Sequence, residues 1–184
     1  PMSLLRLNIT DHTATVILNR PEKRNALNRA LLAELLQIFE DLHQERRVRA
    51  VILTGAGPVF CAGMDLGEMQ ETSRSPDAAA LWHADAAAYR DLVEFMLRFP
   101  KPIIAAVNGI AFGGGCELTE SAHIALAAET ATFSKAEINI GIIPTFGGTQ
   151  RLPRVIGVEP WRSNQVVCSS PRSILPMCER STPA

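Results

Sequence analysis

The chain predicts an α/β fold whose strands run largely parallel. Three observations carry this. Apolar or β-branched runs at residues 49–54, 103–107 and 123–127 have strand length. Between them lie longer stretches with helical spacing, starting near Asn28 and Ser75. The run Gly113-Gly-Gly-Cys-Glu117 has the composition of a turn from strand into helix.

Taken in order, residues 3–9 and 13–19 alternate or are β-branched around Thr10-Asp-His12, which predicts a hairpin. Residues 21–25 read as a turn. From Asn28, a candidate N-cap, Leu31, Leu32, Leu35, Ile38, Phe39 and Leu42 recur at helical spacing. The strand at 49–54 ends at Gly55-Ala-Gly-Pro58. Ser75-Pro76-Asp77 starts a helix that should run to Phe99, with Pro100 and Pro102 beyond it. Strands at 103–107 and 123–127 flank the glycine turn.

At 184 residues the chain holds one sizeable core rather than two domains. Hydrophobic content of 47% with 20% charged residues indicates a soluble globular protein. A net charge of −1 predicts no sequence-independent attraction to nucleic acid or anionic membrane. The basic cluster Arg46-Arg47-Val-Arg49 is placed at a helix end, where cations suit the dipole. Four cysteines show no zinc spacing, and Cys61 and Cys116 read as small buried hydrophobes. No metal site is expected. With neither a membrane span nor a signal segment, a cytoplasmic location is expected, or the mitochondrial matrix after processing.

Glu117 and Glu137 carry the chemistry. Each stands among apolar or small residues, and carboxylates are rarely buried without a partner. Brought together, they would have their proton affinities pushed apart, suiting one to take a proton and the other to give one. The bland alternative is a structural ion pair or a helix N-terminal carboxylate. The glycines Gly109-x-x-x-Gly113-Gly114-Gly115 match neither a dinucleotide fingerprint nor a Walker loop. They fit tight packing of a turn, and equally a ligand oxygen reaching the open N–H groups of a helix start.

Four segments, in order, bear a resemblance. They are Leu18-Asn-Arg-Pro-Glu-Lys-Arg-Asn-Ala-Leu27, Phe60-Cys-Ala-Gly-Met-Asp-Leu-Gly-Glu-Met69, Asn108-Gly-Ile-Ala-Phe-Gly-Gly-Gly-Cys-Glu-Leu118 and Gly147-Gly-Thr-Gln-Arg-Leu-Pro153. Together they resemble the enoyl-CoA hydratase/isomerase (crotonase) family, over residues 4 to 157. The resemblance implies a right-handed spiral of ββα units. It also implies hydration of a 2-enoyl-CoA thioester to a 3-hydroxyacyl-CoA. Glu117 would activate water for attack at C3 and Glu137 would deliver a proton to C2. The backbone N–H groups of Met64 and Gly114 would hold the thioester oxygen. Lys23, Arg24 and Ala26, with Ala62, Asp65 and Leu66, would contact the nucleotide end of CoA. Coenzyme A is then part of the substrate and no separate cofactor is expected.

Departures from the family pattern qualify this. Gly67 stands where a phosphate-binding lysine is frequent. Thr145 and Phe146 stand where small residues usually precede Gly147-Gly148, in a turn expected to orient the second glutamate; Phe146 is expected to narrow the acyl pocket or shift Glu137. His123, where the family often has aspartate, reads as a structural histidine. Residues 1–157 form the expected core. Residues 158–184 read as an irregular tail: from Ser163 on there are three prolines, five serines and two cysteines without period. The family's C-terminal helices, which complete the acyl pocket and build trimers and hexamers, are expected to be missing, leaving apolar surface for self-association. Two other readings stand beside the hydratase: an isomerase or other CoA-thioester enzyme of the same fold, and a truncated non-catalytic chain.

Overall fold

The computed structural model describes residues 3–156. Strands β1 (Leu5–Thr10) and β2 (Thr13–Leu18) form the expected hairpin, turning at Asp11 in the left-handed region with φ 52°. Helix α1 (Arg29–Gln44) follows, and the Asn28 side chain accepts from the Leu31 N–H at 2.9 Å as its N-cap. Its buried stripe is Leu31, Leu32, Leu35, Phe39 and Leu42, five of the six residues that define its period.

From here the chain repeats one pattern. Strands β3 (Ala50–Gly55), β5 (Ile103–Val107) and β7 (Ile124–Ala127) extend the hairpin into a sheet ordered β1-β2-β3-β5-β7, parallel after its first pair. After each comes a three-residue strand in a second sheet: β4 (Val59–Cys61), β6 (Ile110–Phe112) and β8 (Thr132–Ser134), all parallel. Helices α2 (Leu66–Arg74) and α3 (Ala78–Leu97) follow β4, and α4 (Gly114–Ser121) follows β6. Helix α5 (Gly148–Ile156) closes the described chain. The core lies between the large sheet and α1 and α3, where Phe39, Phe60, Met96 and Ile103 are wholly buried.

The basic cluster follows the C-cap Glu45 of α1, at the helix end expected, and Arg47 pairs with Glu45 at 3.2 Å. Three other readings need correction. The helix expected from Ser75 starts at Ala78, because Ser75 caps the C-terminus of α2 and its hydroxyl accepts from the Asp77 N–H. Helix α2 is itself unforeseen: only Thr72 is buried along it, so it carries no apolar period. Its signal is the capping-box spacing Asp65-x-x-Glu68, and Asp65 does accept from the Gly67 and Glu68 N–H groups. The three short strands of the second sheet were also not anticipated. The expected tail after residue 157, with Cys168 and Cys178, lies outside the described residues.

His123 is the structural histidine expected, its Nδ1 accepting from the Ile103 N–H at 3.1 Å. Cys61 and Cys116 are buried free thiols, and burial pushes the Cys61 thiol up to about 12. Phe39→Ala should cost about 3–5 kcal/mol of unfolding free energy and Asn28→Ala about 1 kcal/mol. Urea unfolding measures both, and equal losses would contradict the assigned roles of core and cap.

Candidate active site

The second sheet exists to bring two glycine turns together. Gly63, after β4, has φ 93°, and Gly113, between β6 and α4, has φ 51° with ψ −117°, regions that side chains disfavour. A Cβ on Gly63 would stand 2.8 Å from the Phe112 carbonyl oxygen and 3.3 Å from the Gly114 nitrogen. Only bare backbone permits this approach.

The approach leaves two N–H groups open. Leu27 runs parallel beside Met64, taking the Gly63 carbonyl at 2.7 Å and the Asp65 N–H at 2.9 Å. By the alternation of a strand, the Met64 N–H then faces away from Leu27. Gly114 is the first residue of α4, so its N–H has no partner within the helix. Neither N–H donates a hydrogen bond among the described residues.

Both residues line a cavity of about 280 Å³, with Glu117 and Glu137 in its wall. Glu117 comes from the first turn of α4, and Glu137 from a short 3-10 turn, Ala136–Ile140, that follows β8. The Glu117 Oε1 accepts from the Gly148 N–H at 2.9 Å. Oε2 of each glutamate is buried without a hydrogen-bond partner among the described residues. Burial is the main cause that raises the Glu117 carboxyl to about 7. Burial likewise raises Glu137 above the usual carboxylate range.

The Gly147-Gly148 turn therefore serves the first glutamate, correcting the expectation that it orients the second. Helix α5 packs on α4, and Gly148 sits against the Glu117 carboxylate where a side chain would collide. Phe146 is buried and lines the cavity. It stacks on Tyr89 with ring centroids 4.2 Å apart, and the Tyr89 hydroxyl donates to the Leu27 carbonyl at 2.8 Å.

The residues expected at the nucleotide end divide. Arg24, Ala62 and Leu66 line the cavity together with Met64 and Gly114. Lys23 is exposed nearby in sequence but outside the lining, and Ala26 is buried. Asp65 is engaged structurally: it caps α2 and pairs with Arg20 at 2.9 Å. Burial works against its charge, but Arg20 and the capping N–H groups outweigh that and hold it below the usual carboxylate range. Two residues near the site were missed altogether. Lys135 and Glu120 form a buried ion pair at 2.7 Å beside Glu117. Lys135 lies two positions before Glu137, and Glu120 three after Glu117. Among the described residues no cluster of three or more His, Cys, Asp or Glu could hold a metal ion. None of the described helices is long and apolar enough to cross a membrane.

A family model described as enoyl-CoA hydratase/isomerase matches residues 8–170. The chain belongs to the enoyl-CoA hydratase/isomerase family. It is 39% identical over 156 residues to a probable enoyl-CoA hydratase of Bacillus subtilis, covering 85% of this chain and 58% of that protein. It is 37% identical over 158 residues to the 1,2-epoxyphenylacetyl-CoA isomerase of Escherichia coli, covering 85% of this chain and 59% of that protein. The crystal structure of an enoyl-CoA hydratase from Bacillus anthracis superposes with a TM-score of 0.80 at 40% identity. That likeness covers 89% of this chain and 62% of the other. The fold is thus crotonase-like, and the chain spans less than two thirds of the length of these relatives. The matched span also runs past residue 157, where the resemblance read from the sequence was expected to end.

The buried Glu117 predicts a pH dependence of stability. Its folded-state proton affinity lies above the ordinary glutamate value of 4.5, so between about 4.5 and 7 the folded protein binds more proton than the unfolded chain. This contribution makes stability fall as pH rises through that window. Glu117→Gln should flatten the slope and raise stability at pH 8 by up to about 3 kcal/mol, with little change at pH 4. Urea unfolding at both pH values is the check, and parallel curves for the two proteins would refute it.

Proposed function

We propose that this chain takes a 2-enoyl-CoA thioester and adds water across its C2–C3 double bond. The observation that carries the proposal is one cavity holding two buried glutamates and two open backbone N–H groups. In this reading the thioester oxygen accepts from the Met64 and Gly114 N–H groups. Charge that develops there in the enolate-like transition state meets donors already in place. Each such donor is worth about 3–4 kcal/mol by analogy with other oxyanion holes.

Glu117, ionised, takes a proton from water as the water oxygen bonds to C3. Glu137, protonated, gives a proton to C2, so the product gains one water and both carboxyls exchange roles. Burial raises both carboxyls, and a Glu117 midpoint of about 7 places a general base near neutral pH. Arg24, Ala62 and Leu66 are proposed to border the path of the CoA moiety, with Lys23, Ala26 and Asp65 behind them. No cofactor beyond the CoA of the substrate enters this scheme. Self-association through exposed apolar side chains such as Leu126, Ile140 and Ile143 belongs to the same reading.

An isomerase is the second reading, favoured by the similarity to the 1,2-epoxyphenylacetyl-CoA isomerase. It would use the same N–H pair but move a proton within the substrate. Loss of the conjugated thioester absorbance of a short 2-enoyl-CoA, with label from heavy water or oxygen-18 water in the product, separates the two. Oxygen-18 at C3 is expected. Glu117→Gln and Glu137→Gln should each lower kcat by about 10²–10⁴-fold, and the double variant little further. Activity should rise with pH as Glu117 ionises near 7. Double-bond migration without oxygen incorporation would replace the hydratase reading with the isomerase one, and unaltered turnover in both variants would end both.

A further inference from the structure

Behind the cavity wall, Glu117 has a charged neighbourhood that the hydration scheme leaves unused. Lys135 leaves the end of β8 and turns inward, with its side chain 8% exposed. Its Nζ stands 2.7 Å from Glu120 Oε1 and 3.6 Å from Glu117 Oε1. Glu120 is buried one helical turn from Glu117 on α4, and the Cys116 thiol donates to its Oε1 at 3.3 Å. Neither Lys135 nor Glu120 lines the cavity. They reach the substrate side only through Glu117 and through Glu137, two residues along from Lys135.

A lysine and a glutamate whose side chains are withdrawn from water are costly to bury, and replacing such a pair by apolar residues is often neutral for stability. Stability alone therefore does not account for placing this pair within reach of Glu117. Lys135 also joins the segment that carries Glu137 to the helix that carries Glu117. We propose that Lys135, anchored by Glu120, is the positioning counter-ion of the glutamate pair. It favours the ionised form of Glu117 and holds the two carboxylate-bearing segments in register. The inference rests on the reading of Glu117 as general base.

The charges around Glu117 make the proposal directional. On α4 it faces Glu120 and Cys116, from the segment after β8 Lys135 and Glu137, and from α5 Arg151. On the other elements packed against α4, Cys61 on β4 and Tyr89 on α3 are buried titratable groups, and burial keeps both protonated around neutral pH. Burial and the two carboxylates oppose charge on Glu117, whereas Lys135 and Arg151 favour it. Burial alone would also discharge Lys135, but around neutral pH the Glu120 and Glu117 carboxylates beside it hold its proton.

Removing either partner should move the Glu117 titration in opposite directions, which a merely structural pair would not do. Carbon-13 NMR of the glutamate carboxyls in the full chain reads this without turnover, with the Glu117→Gln spectrum supplying the assignment. Lys135→Met should raise the Glu117 midpoint by about one pH unit or more, and Glu120→Gln should lower it. Lys135→Arg should return it towards its starting value. Lys135→Met/Glu120→Leu leaves no unpaired buried charge, so it keeps the fold if the single variants do not, and Glu117 should still titrate above the parent protein. The acid limb of kcat/KM should follow each shift, with the loss at neutral pH in kcat rather than KM. A midpoint that stays put in all four variants, or moves the same way in Lys135→Met and Glu120→Gln, overturns the counter-ion. Shifted titrations in a chain without turnover would uphold the counter-ion and count against the proposed hydration alone.

Discussion

The close passage of Gly63 over Gly113 and Gly114 is the constraint around which the molecule is arranged. Two backbones meet there with no Cβ between them, and a methyl group on Gly63 would press on the Phe112 carbonyl and the Gly114 nitrogen. The parallel pairing of β4 with β6 delivers both turns to the same end of the small sheet. Gly115 then packs on Cys61, where any side chain would collide with its carbonyl. Leu27 satisfies the groups on either side of Met64 and leaves the Met64 N–H unclaimed. An open donor at a buried position is ordinarily a cost. Here the glycine contact holds two of them in one cavity wall, the arrangement that a developing oxyanion needs.

The same packing sets the electrostatics. Helix α4 must start at the glycine turn to expose the Gly114 N–H, so Glu117 in its first turn is carried inside. Of the groups around it, Gly148 supplies a hydrogen bond, Lys135 a charge and the apolar wall a low dielectric. The last of these is the largest effect, which is why the carboxyl holds its proton to about 7. A site that keeps a carboxyl in this state gives up stability at neutral pH for chemistry. That trade is common where function and folding compete for one residue.

Legibility in the sequence followed the physics of each element. Strand β2, α1 and the strand Ile103–Val107 were readable because one face of each is buried, which imprints a period on the residues. Strands β4, β6 and β8 are three residues long, too short for alternation to register. Helix α2 buries a single residue, and only its Asp65 cap betrays it. Glu117, Met64 and Gly114 stood in glycine-bearing segments in a recognisable order and Glu137 in an apolar one, so all four were candidates from the sequence. Lys135 and Glu120 could not. A charged residue beside a motif looks the same whether it faces water or the interior. Only the pairing of β6 with β8, which brings Lys135 over α4, turns these two charges inward. The service of Gly148 to Glu117 rather than Glu137 was hidden for a like reason, since it depends on how α5 settles on α4.

Hydration and isomerisation share the part of the site that the backbone builds. Both pass through an enolate-like state on the thioester oxygen, and the Met64 and Gly114 N–H groups suit either. What separates them is the protonation of the glutamates when substrate arrives. Hydration needs one carboxylate to deprotonate water and a second carboxyl to supply C2, whereas moving a double bond needs one group that takes and returns the same proton. In a cavity where burial already pushes both glutamates up, a small change in surrounding charge decides how many are ionised. On the proposed reading, the glycine framework sets the class of intermediate, and the buried charges behind the wall select among the reactions that share it.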